Sequence, residues 1–431
     1  MASESLPFTT SLDLALSGTG AASRERFDSA LASADEALRW LRQARNDRSL
    51  ELLTMPSRRD DMEQAREAAA KFSENTSQIA VLGIGGSSLG GQALRALRPA
   101  HSSGPRVEFF DNPDPFSWTA ALSEFDLRTT RFVAISKSGG TAETLFQALT
   151  AADAIEKAGG GKYLKDHFLV ITEPRKSPLR GFAESIGARV LEHPTGIGGR
   201  YSVLTVVGIL PALLMGLDVV ALREGAEIVL ESALSNAAPN VPAAAGAALH
   251  QALSLEGRLH QTVFWPYADK LHTLGAWWRQ LWAESLGKDG KGSTPVAALG
   301  PVDQHSQLQL FRDGPPTSLF TILSVDTAGH GAVAPKERAD ALGLSYLANR
   351  TMGDLVAVEA RATAETLARN GRPVRKMHVA RVDEKTVGAL MMHFMLETIV
   401  MGRIMGVDPF DQPGVEEGKV LARQYLESGK V

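Results

Sequence analysis

Cysteine is missing from all 431 residues of the sequence, which excludes disulfide bonds, thiolate catalysis and zinc sites built on cysteine. Histidine is scarce, since only ten occur, and they are scattered without a His-x-x-x-His pair. No carboxylate-rich calcium loop is present either. We therefore expect no bound metal. The lack of cysteine fits a reducing compartment, and we expect a cytoplasmic location.

An excess of charge of either sign is also missing. The 45 basic and 49 acidic residues leave a formal net charge of −4, without a polybasic arm or a block of like charge. We therefore expect a small-molecule partner, and neither nucleic acid nor a membrane. The N-terminus shows no secretory signal pattern. Apolar stretches such as Val203 to Leu217 are interrupted by glycine and proline, and fall short of the roughly 20 residues that a membrane span needs.

The sequence does contain enough apolar chain for two domains, because 431 residues with 44% hydrophobic content exceed the usual size of one core. Residues 25–75 have the apolar spacing of helices. From Gln78 onward, short β-rich runs alternate with amphipathic stretches, which predicts a parallel sheet with helices on both faces. The strands predicted for this first unit are Ile79 to Ile84, Arg106 to Phe110, Arg131 to Ser136, His167 to Thr172 and Arg189 to Leu191.

A second α/β unit follows an alanine-rich helical region from Ala221 to Leu259. No linker marks the boundary, which we place near residue 220. Residues 1–220 then hold a helical N-terminal segment and the first domain, and residues 221–431 hold the second domain with a C-terminal helical segment. The methionine-rich stretch Val387 to Met405 predicts an apolar helix that packs in the core or at a subunit interface. The strands predicted for the second unit are Gln261 to Trp265, Thr317 to Ser324 and Lys376 to Arg381.

Two loops have the composition of phosphate-binding segments. The first, Gly83 to Gly90, places small residues between a strand and a helix, where backbone amides and the helix dipole attract anions. It lacks a convincing dinucleotide pattern and the Lys-Ser/Thr of a P-loop, so a simple tight turn is an alternative. The second, Ser136 to Thr144, brings the hydroxyls of Ser136, Ser138 and Thr141 together with one ammonium and two glycines at the start of a helix. Its alternative is that Ser138 and Thr141 only cap that helix.

These loops resemble segments of a known family. The second loop is similar to the phosphate-binding loop of sugar isomerase (SIS) domains, and the chain is similar to bacterial members of the phosphoglucose isomerase family. The resemblance implies an α/β fold of two SIS-type three-layer αβα domains with parallel sheets. It also implies a homodimer, and a cofactor-free interconversion of glucose 6-phosphate and fructose 6-phosphate. The matching blocks, in order, are Gly83 to Gly90, Ser136 to Thr144, Gly196 to Ser202, Glu284 to His305, and Phe410 to Lys419.

The resemblance also implies roles for individual residues. Glu284 matches the base that moves a proton between C2 and C1, and Arg200 matches the guanidinium that stabilises the enediolate. His305 matches the ring-opening histidine, which the neighbouring subunit supplies, and Lys419 matches the lysine that assists it. Without the resemblance, Glu284 is only a glutamate at the end of a tryptophan-rich helix. The residues implied to bind substrate are Gly85, Ser87, Ser136, Lys137, Ser138, Thr141, Glu143 and Gln412.

Two other functions stay open at this point. A non-catalytic sugar-phosphate sensor built on SIS domains would need the second loop, but not Glu284, His305, Lys419 and Arg200. The second alternative is a broader isomerase that also accepts mannose 6-phosphate, as archaeal relatives do. Those relatives have a threonine at the position of Gln412. The glutamine here favours the enzyme with a single substrate pair.

Overall fold

The computed structural model describes residues 5–99, 102 and 104–429, and these residues form two five-stranded sheets with helices packed against them. The strands are β1 (Phe8–Ser11), β2 (Gln78–Leu82), β3 (Arg106–Phe110), β4 (Thr130–Ile135), β5 (Phe168–Thr172), β6 (Arg189–Glu192), β7 (Gln261–Pro266), β8 (Thr294–Ala297), β9 (Ser318–Val325) and β10 (Val374–Val379). The α-helices are α1 (Asp13–Leu16), α2 (Arg24–Asn46), α3 (Asp60–Ser73), α4 (Leu89–Arg95), α5 (Pro115–Glu124), α6 (Ala142–Lys157), α7 (Leu164–His167), α8 (Pro178–Ile186), α9 (Val206–Leu214), α10 (Val219–Ser235), α11 (Pro242–Leu255), α12 (His272–Leu286), α13 (Leu308–Asp313), α14 (Lys336–Ala341), α15 (Met352–Arg369), α16 (Glu384–Met405) and α17 (Glu416–Glu427).

The first sheet has the strand order β3-β2-β4-β5-β6, and all its neighbours are parallel. Its central strands are buried on both faces, because helices cover them from either side, and they therefore read as continuous apolar runs such as Phe168–Thr172. The five predicted strands of this unit are confirmed, with ends shifted by at most two residues. Since the strands are parallel, the loops that follow β2 and β4 leave the same edge of the sheet.

The second sheet has the strand order β1-β10-β9-β7-β8, in which β7 to β10 are parallel. The expected parallel architecture is confirmed, with one addition: β1 runs antiparallel to β10, with Phe8 paired to Val379. The edge strands β1 and β8 were not predicted, because each has four residues and little apolar pattern. The N-terminal strand thus joins the second sheet, and the domain boundary near residue 220 stays a prediction.

Helix α16 is the central helix of the largest core and packs against α2, α10, α11 and α12. Met391, Met392, Met395 and Met401 are buried, as predicted for a packing helix, and Met405 at its end is half-buried. By length and composition α16 could also cross a membrane, which the sequence analysis did not anticipate, but 89% of its most apolar window is buried within the protein. The alanine-rich region before the second sheet forms two helices, α10 and α11, separated by a short turn at Ala238–Asn240.

A buried ionic cluster lies beneath the second sheet. Arg375 Nη1 is 2.6 Å from Glu397 Oε1, His250 Nδ1 is 3.4 Å from the same oxygen, and His393 Nε2 is 3.1 Å from Glu397 Oε2. All four side chains are at most 2% exposed. Burial lowers the pKa of His250 to about 4 and also lowers the pKa of His393. Burial alone would raise the pKa of Glu397, but Arg375 and the two histidines lower it to about 2.

This cluster predicts acid-sensitive folding. The unfolded chain binds protons on these groups at a higher pH than the native protein, because all three pKa values are lower in the folded state. Stability is therefore fully present above pH 6.5 and falls as the pH drops, by up to about 1.4 kcal/mol per pH unit between pH 6.5 and 4 for His250, and His393 adds to the loss in the same direction. Urea unfolding at pH 7, 5.5 and 4.5 measures this loss.

The matched variants for this measurement are His250→Asn, which removes a buried imidazole, and His330→Asn, which removes an exposed one. His250→Asn should flatten the pH dependence of the unfolding free energy, and His330→Asn should leave it as in the wild type. Equal stability of the wild type at pH 7 and pH 4.5 would contradict the assignment of neutral histidines to this cluster.

Candidate active site

The two glycine-rich loops lie side by side at the carboxyl edge of the first sheet. β2 ends at Leu82 and β4 at Ile135, and these strands are hydrogen-bonded neighbours. A methyl group built on Gly83 would lie 3.2 Å from the carbonyl oxygen of Ile135. The short 3-10 turn Gly85–Ser87 follows at once and carries the candidates Gly85 and Ser87, both half-buried.

The hydroxyls of the second loop form hydrogen bonds that stabilise the backbone conformation of that loop. Ser136 Oγ is 2.8 Å from Thr141 Oγ1 and accepts a hydrogen bond from the amide of Gly139 at 3.1 Å, and Ser138 Oγ accepts one from the amide of Gly140 at 3.2 Å. Thr141 is the N-cap residue of α6, yet within the described residues its side chain makes no capping hydrogen bond. The alternative that this hydroxyl only caps the helix therefore does not apply.

Two charged candidates flank the second loop. Lys137 Nζ lies 3.6 Å from Glu173 Oε1, and the lysine side chain is 32% exposed. Glu143 is half-buried in the first turn of α6. The loop thus combines hydroxyls, an ammonium and the amino end of a 16-residue helix, which is the donor set that a phosphoryl group requires.

The first loop is pressed against the segment that carries Arg200. A methyl group built on Gly86 would overlap the carbonyl carbon of Gly199 and would lie 2.6 Å from the amide nitrogen of Arg200. Because backbone meets backbone there, only glycine fits at position 86. Arg200 lies in the 3-10 segment Gly199–Leu204, and its backbone is therefore next to the first loop.

The Arg200 guanidinium contacts two other predicted site residues, Glu284 and Gln412. Its side chain is buried, and Nη1 lies 2.7 Å from Gln412 Oε1 and 3.4 Å from Glu284 Oε2. Nε donates to Ser285 Oγ at 2.8 Å. Nη2 donates to the carbonyls of Pro409 at 2.6 Å and Asp411 at 2.8 Å. Every edge of the guanidinium is therefore used, which suits a planar, permanently charged group.

Glu284 is held from both sides. It lies near the end of α12, its side chain is 27% exposed, and it lines a cleft of about 520 Å³ together with Gln412. Gln280, one helical turn earlier, donates from Nε2 to Glu284 Oε1 at 3.0 Å. A methyl group built on Gly85 would lie 2.8 Å from that amide nitrogen, so Gln280 bridges the first loop and the carboxylate.

Sequence reasoning missed four residues of this cluster: Gln280, Ser285, Lys288 and Tyr201. The i, i+4 spacing of Gln280 and Glu284 on one helix face was the available signal. Lys288 Nζ lies 2.6 Å from Asp411 Oδ1 and fixes the segment before α17. Tyr201 Oη lies 3.1 Å from Ser285 Oγ, and burial raises the pKa of this phenol to about 12, although the charge of Arg200 opposes the shift.

Within the described residues, His305 and Lys419 form no hydrogen bond or ion pair with this cluster. His305 is exposed after the turn Val302–Gln304, and across the described residues its imidazole makes no hydrogen bond or ion pair. Lys419 Nζ pairs with Glu416 at 2.7 Å on α17, a helix whose residues are all exposed. The roles expected for His305 and Lys419 stay predictions.

The cluster predicts that Arg200 is essential for the local structure. In Arg200→Met, the carboxylate, amide and carbonyls around the guanidinium lose their shared donor, and the free energy of unfolding should fall by about 3 kcal/mol. Guanidinium chloride unfolding measures this value. The control Arg423→Met removes an exposed pair with Glu427 and should leave stability as in the wild type. An equally small effect at Arg200 would contradict its central position.

Solved structures share this architecture. A hypothetical protein from Thermus thermophilus is 35% identical and superposes with a TM-score of 0.86, covering 97% of this chain and 99% of its own. The glucose-6-phosphate isomerase of Chlamydia trachomatis is 20% identical, with a TM-score of 0.81, and covers 98% of this chain and 89% of its own. The latter likeness defines the class: an α/β protein with the fold of a phosphoglucose isomerase.

Sequence comparison gives the family. The glucose-6-phosphate isomerase of Rubrobacter xylanophilus is 38% identical over 386 residues, which are 88% of this chain and 89% of that protein. An enzyme of the same name from Thermus thermophilus is 38% identical over 374 residues, covering 85% and 88% respectively. A sequence model of phosphoglucose isomerase matches residues 61–302 and 343–430. The chain belongs to the phosphoglucose isomerase family.

Proposed function

We propose that the chain is a glucose-6-phosphate isomerase, which interconverts D-glucose 6-phosphate and D-fructose 6-phosphate in glycolysis and gluconeogenesis in the cytoplasm. Family membership supports the reaction. The observation that carries the proposal is the meeting of Glu284, Arg200 and Gln412 beside the first loop, which in turn lies next to the second loop at the edge of the sheet. A sensor without catalytic activity would have no use for a carboxylate and a guanidinium in this geometry.

Glu284 is proposed as the base that removes the proton from C2 and returns it to C1. Gln280 holds Oε1 at 3.0 Å, whereas Oε2 has only a long, 3.4 Å contact with Arg200. We therefore assign proton transfer to Oε2. The partial exposure of the side chain leaves room for a substrate against it. As the proton leaves C2, negative charge develops on the enediolate oxygens.

Arg200 is proposed to stabilise that enediolate charge. Its guanidinium stays protonated at any physiological pH and is fixed before substrate binds, so little reorganisation is needed as charge develops. Gln412 accepts a hydrogen bond from the same guanidinium, and its amide can donate to a sugar hydroxyl near the reacting carbons. The reaction needs no redox partner, because one carbon is oxidised as its neighbour is reduced.

The phosphate ester is proposed to bind at the second loop, through the hydroxyls of Ser136, Ser138 and Thr141, the ammonium of Lys137 and the amides that begin α6. Gly85 on the first loop lies next to Gln280, which also donates to the Glu284 carboxylate, and Ser87 belongs to the same turn. We propose that both residues contact the sugar between this anchor and Glu284. One hexose would then connect the two ends. The remaining substrate candidate, Glu143, begins α6 beside the anchor.

Ring opening is proposed to use His305 and Lys419 in a homodimer. His305 lies between Val302 and Leu310, whose apolar side chains are 57% and 62% exposed. Every residue of α17, the helix that carries Lys419, is exposed, including the apolar residues Val420, Leu421, Tyr425 and Leu426. Such surfaces favour contact with a second copy.

The base assignment predicts a specific loss in Glu284→Gln. The amide keeps the size of the side chain but cannot accept the C2 proton, so kcat should fall by at least about 100-fold. Binding of inorganic phosphate, measured by calorimetry, should change less than about twofold because the loops are untouched. The control Glu231→Gln removes an exposed carboxylate of α10 and should keep full activity. Full turnover by Glu284→Gln would refute the assignment.

The shared site predicts complementation between two inactive variants. Subunits with Glu284→Gln and subunits with His305→Ala are mixed, unfolded and refolded together. If His305 acts across the interface, one site of each mixed dimer is intact, and about a quarter of wild-type activity should return for random pairing. If His305 acts in its own subunit, each mixed dimer has two damaged sites and no activity returns, which would contradict the proposal.

A further inference from the structure

The end of β5 and the segment that follows it support the second loop, Ser136 to Thr144, by hydrogen bonds to its backbone. The amide of Glu173 donates to the carbonyl of Lys137 at 3.2 Å, and Thr172 Oγ1 donates to the same carbonyl at 3.4 Å. The amide of Leu179 donates to the carbonyl of Gly139 at 2.9 Å. The backbone of the loop is therefore fixed by a neighbouring strand end.

Glu173 places a buried carboxylate directly beside this loop. The residue is 5% exposed, and its two oxygens have different partners. Oε1 lies 3.6 Å from Lys137 Nζ, and Oε2 lies 2.6 Å from Nε of Arg175. The short contact to Arg175 anchors the carboxylate. The contact to Lys137 is longer than the roughly 2.8 Å of a tight charged hydrogen bond, so the ammonium keeps donors for a ligand.

Other basic groups nearby do not replace these partners. Arg180 donates to the backbone carbonyl of Glu173 at 3.1 Å, not to its carboxylate. The imidazole of His193 is buried, with Nδ1 2.8 Å from the carbonyl oxygen of Pro194. Burial lowers the pKa of His193 to about 4, so this ring is neutral at pH 7. The Glu173 carboxylate therefore forms its ion pairs with Lys137 and Arg175.

We infer that Glu173 is a positioning residue for phosphate recognition, which holds the Lys137 ammonium over the loop Ser136–Thr141 before substrate arrives. The inference rests on the proposed function and extends it to a residue outside the substrate-binding set. Lysine has a flexible four-carbon stem, and orienting it in advance lowers the entropic cost of binding an anion. Arg175 keeps the carboxylate in place when the ammonium turns toward a phosphate oxygen.

The first test is Glu173→Gln, which keeps the shape but removes the charge that attracts Lys137. The dissociation constant of inorganic phosphate, measured by calorimetry, and the KM for fructose 6-phosphate should both rise about fivefold. The kcat should stay within about twofold, because Glu284 and Arg200 are not altered. If the carboxylate only repels anions, phosphate binding becomes tighter, and that result would overturn the inference.

A double-mutant cycle separates positioning from general support of the fold. In the background of Lys137→Met, the ammonium that Glu173 positions is gone, so adding Glu173→Gln should change the KM less than about 1.5-fold. A structural role would lower affinity by the same factor in both backgrounds, and equal factors would therefore overturn the inference. Thermal unfolding of each variant identifies any loss of folded protein.

The matched control is Glu192→Gln, at the carboxyl end of β6 in the same sheet. Glu192 lies 3.9 Å from Arg180, and its side chain is 64% exposed. Its removal should leave the KM and the phosphate affinity as in the wild type. Suppose that the wild type isomerises fructose 6-phosphate and that Glu173→Gln has the same KM and phosphate affinity as this control. That result would refute the inference and leave the proposed function intact. A wild-type protein that binds phosphate without turnover would refute the function and leave the binding test valid.

Discussion

The site depends on the hydrogen bonds of the buried Arg200 guanidinium. A charge this deep is tolerated only when its donors are all satisfied, and here the acceptors come from α12, from the carbonyls of Pro409 and Asp411, and from Gln412. These segments are more than 80 residues apart in the chain. The requirement to satisfy one cation therefore determines where Glu284 and Gln412 lie relative to each other.

The parallel sheet determines where the phosphate-type loops lie relative to that cation. β2 and β4 are neighbours, so their loops leave the same edge, and the turn at Gly86 reaches the backbone of Gly199 because it lacks a side chain. The first loop then contacts the Arg200 segment on one side and Gln280 on the other. The first loop, which has the composition of an anion-binding loop, is thus connected to the Glu284 carboxylate through a single side chain, Gln280.

Much of the fold was predictable because buried parallel strands leave long apolar runs in the sequence, as in Phe168–Thr172. β1 and β8 were missed because short edge strands need little apolar pattern, and their pairing is decided by tertiary contact. The loops were visible from composition. Gln280 and Lys288 were not, since a helical glutamine or a lysine after a helix has many possible roles until its partners are known.

Glu284 itself shows why resemblance was needed. Its local sequence does not distinguish it from other helical glutamates, and its proposed role depends on Arg200, Gln280 and Gln412, which only the fold brings near. His305 and Lys419 lie on exposed segments of one chain. The role proposed for His305 requires a second subunit, which neither local pattern nor the geometry of a single chain supplies.

The most direct measurement is the isomerisation of fructose 6-phosphate in deuterated water, followed by NMR at the hydrogens on C1 and C2. Because the Glu284 carboxylate is 27% exposed, a proton that it carries can exchange with solvent, and proton transfer through an enediolate predicts deuterium at these carbons. Complete conversion with no deuterium at either carbon would indicate a direct hydride shift and would contradict a carboxylate base.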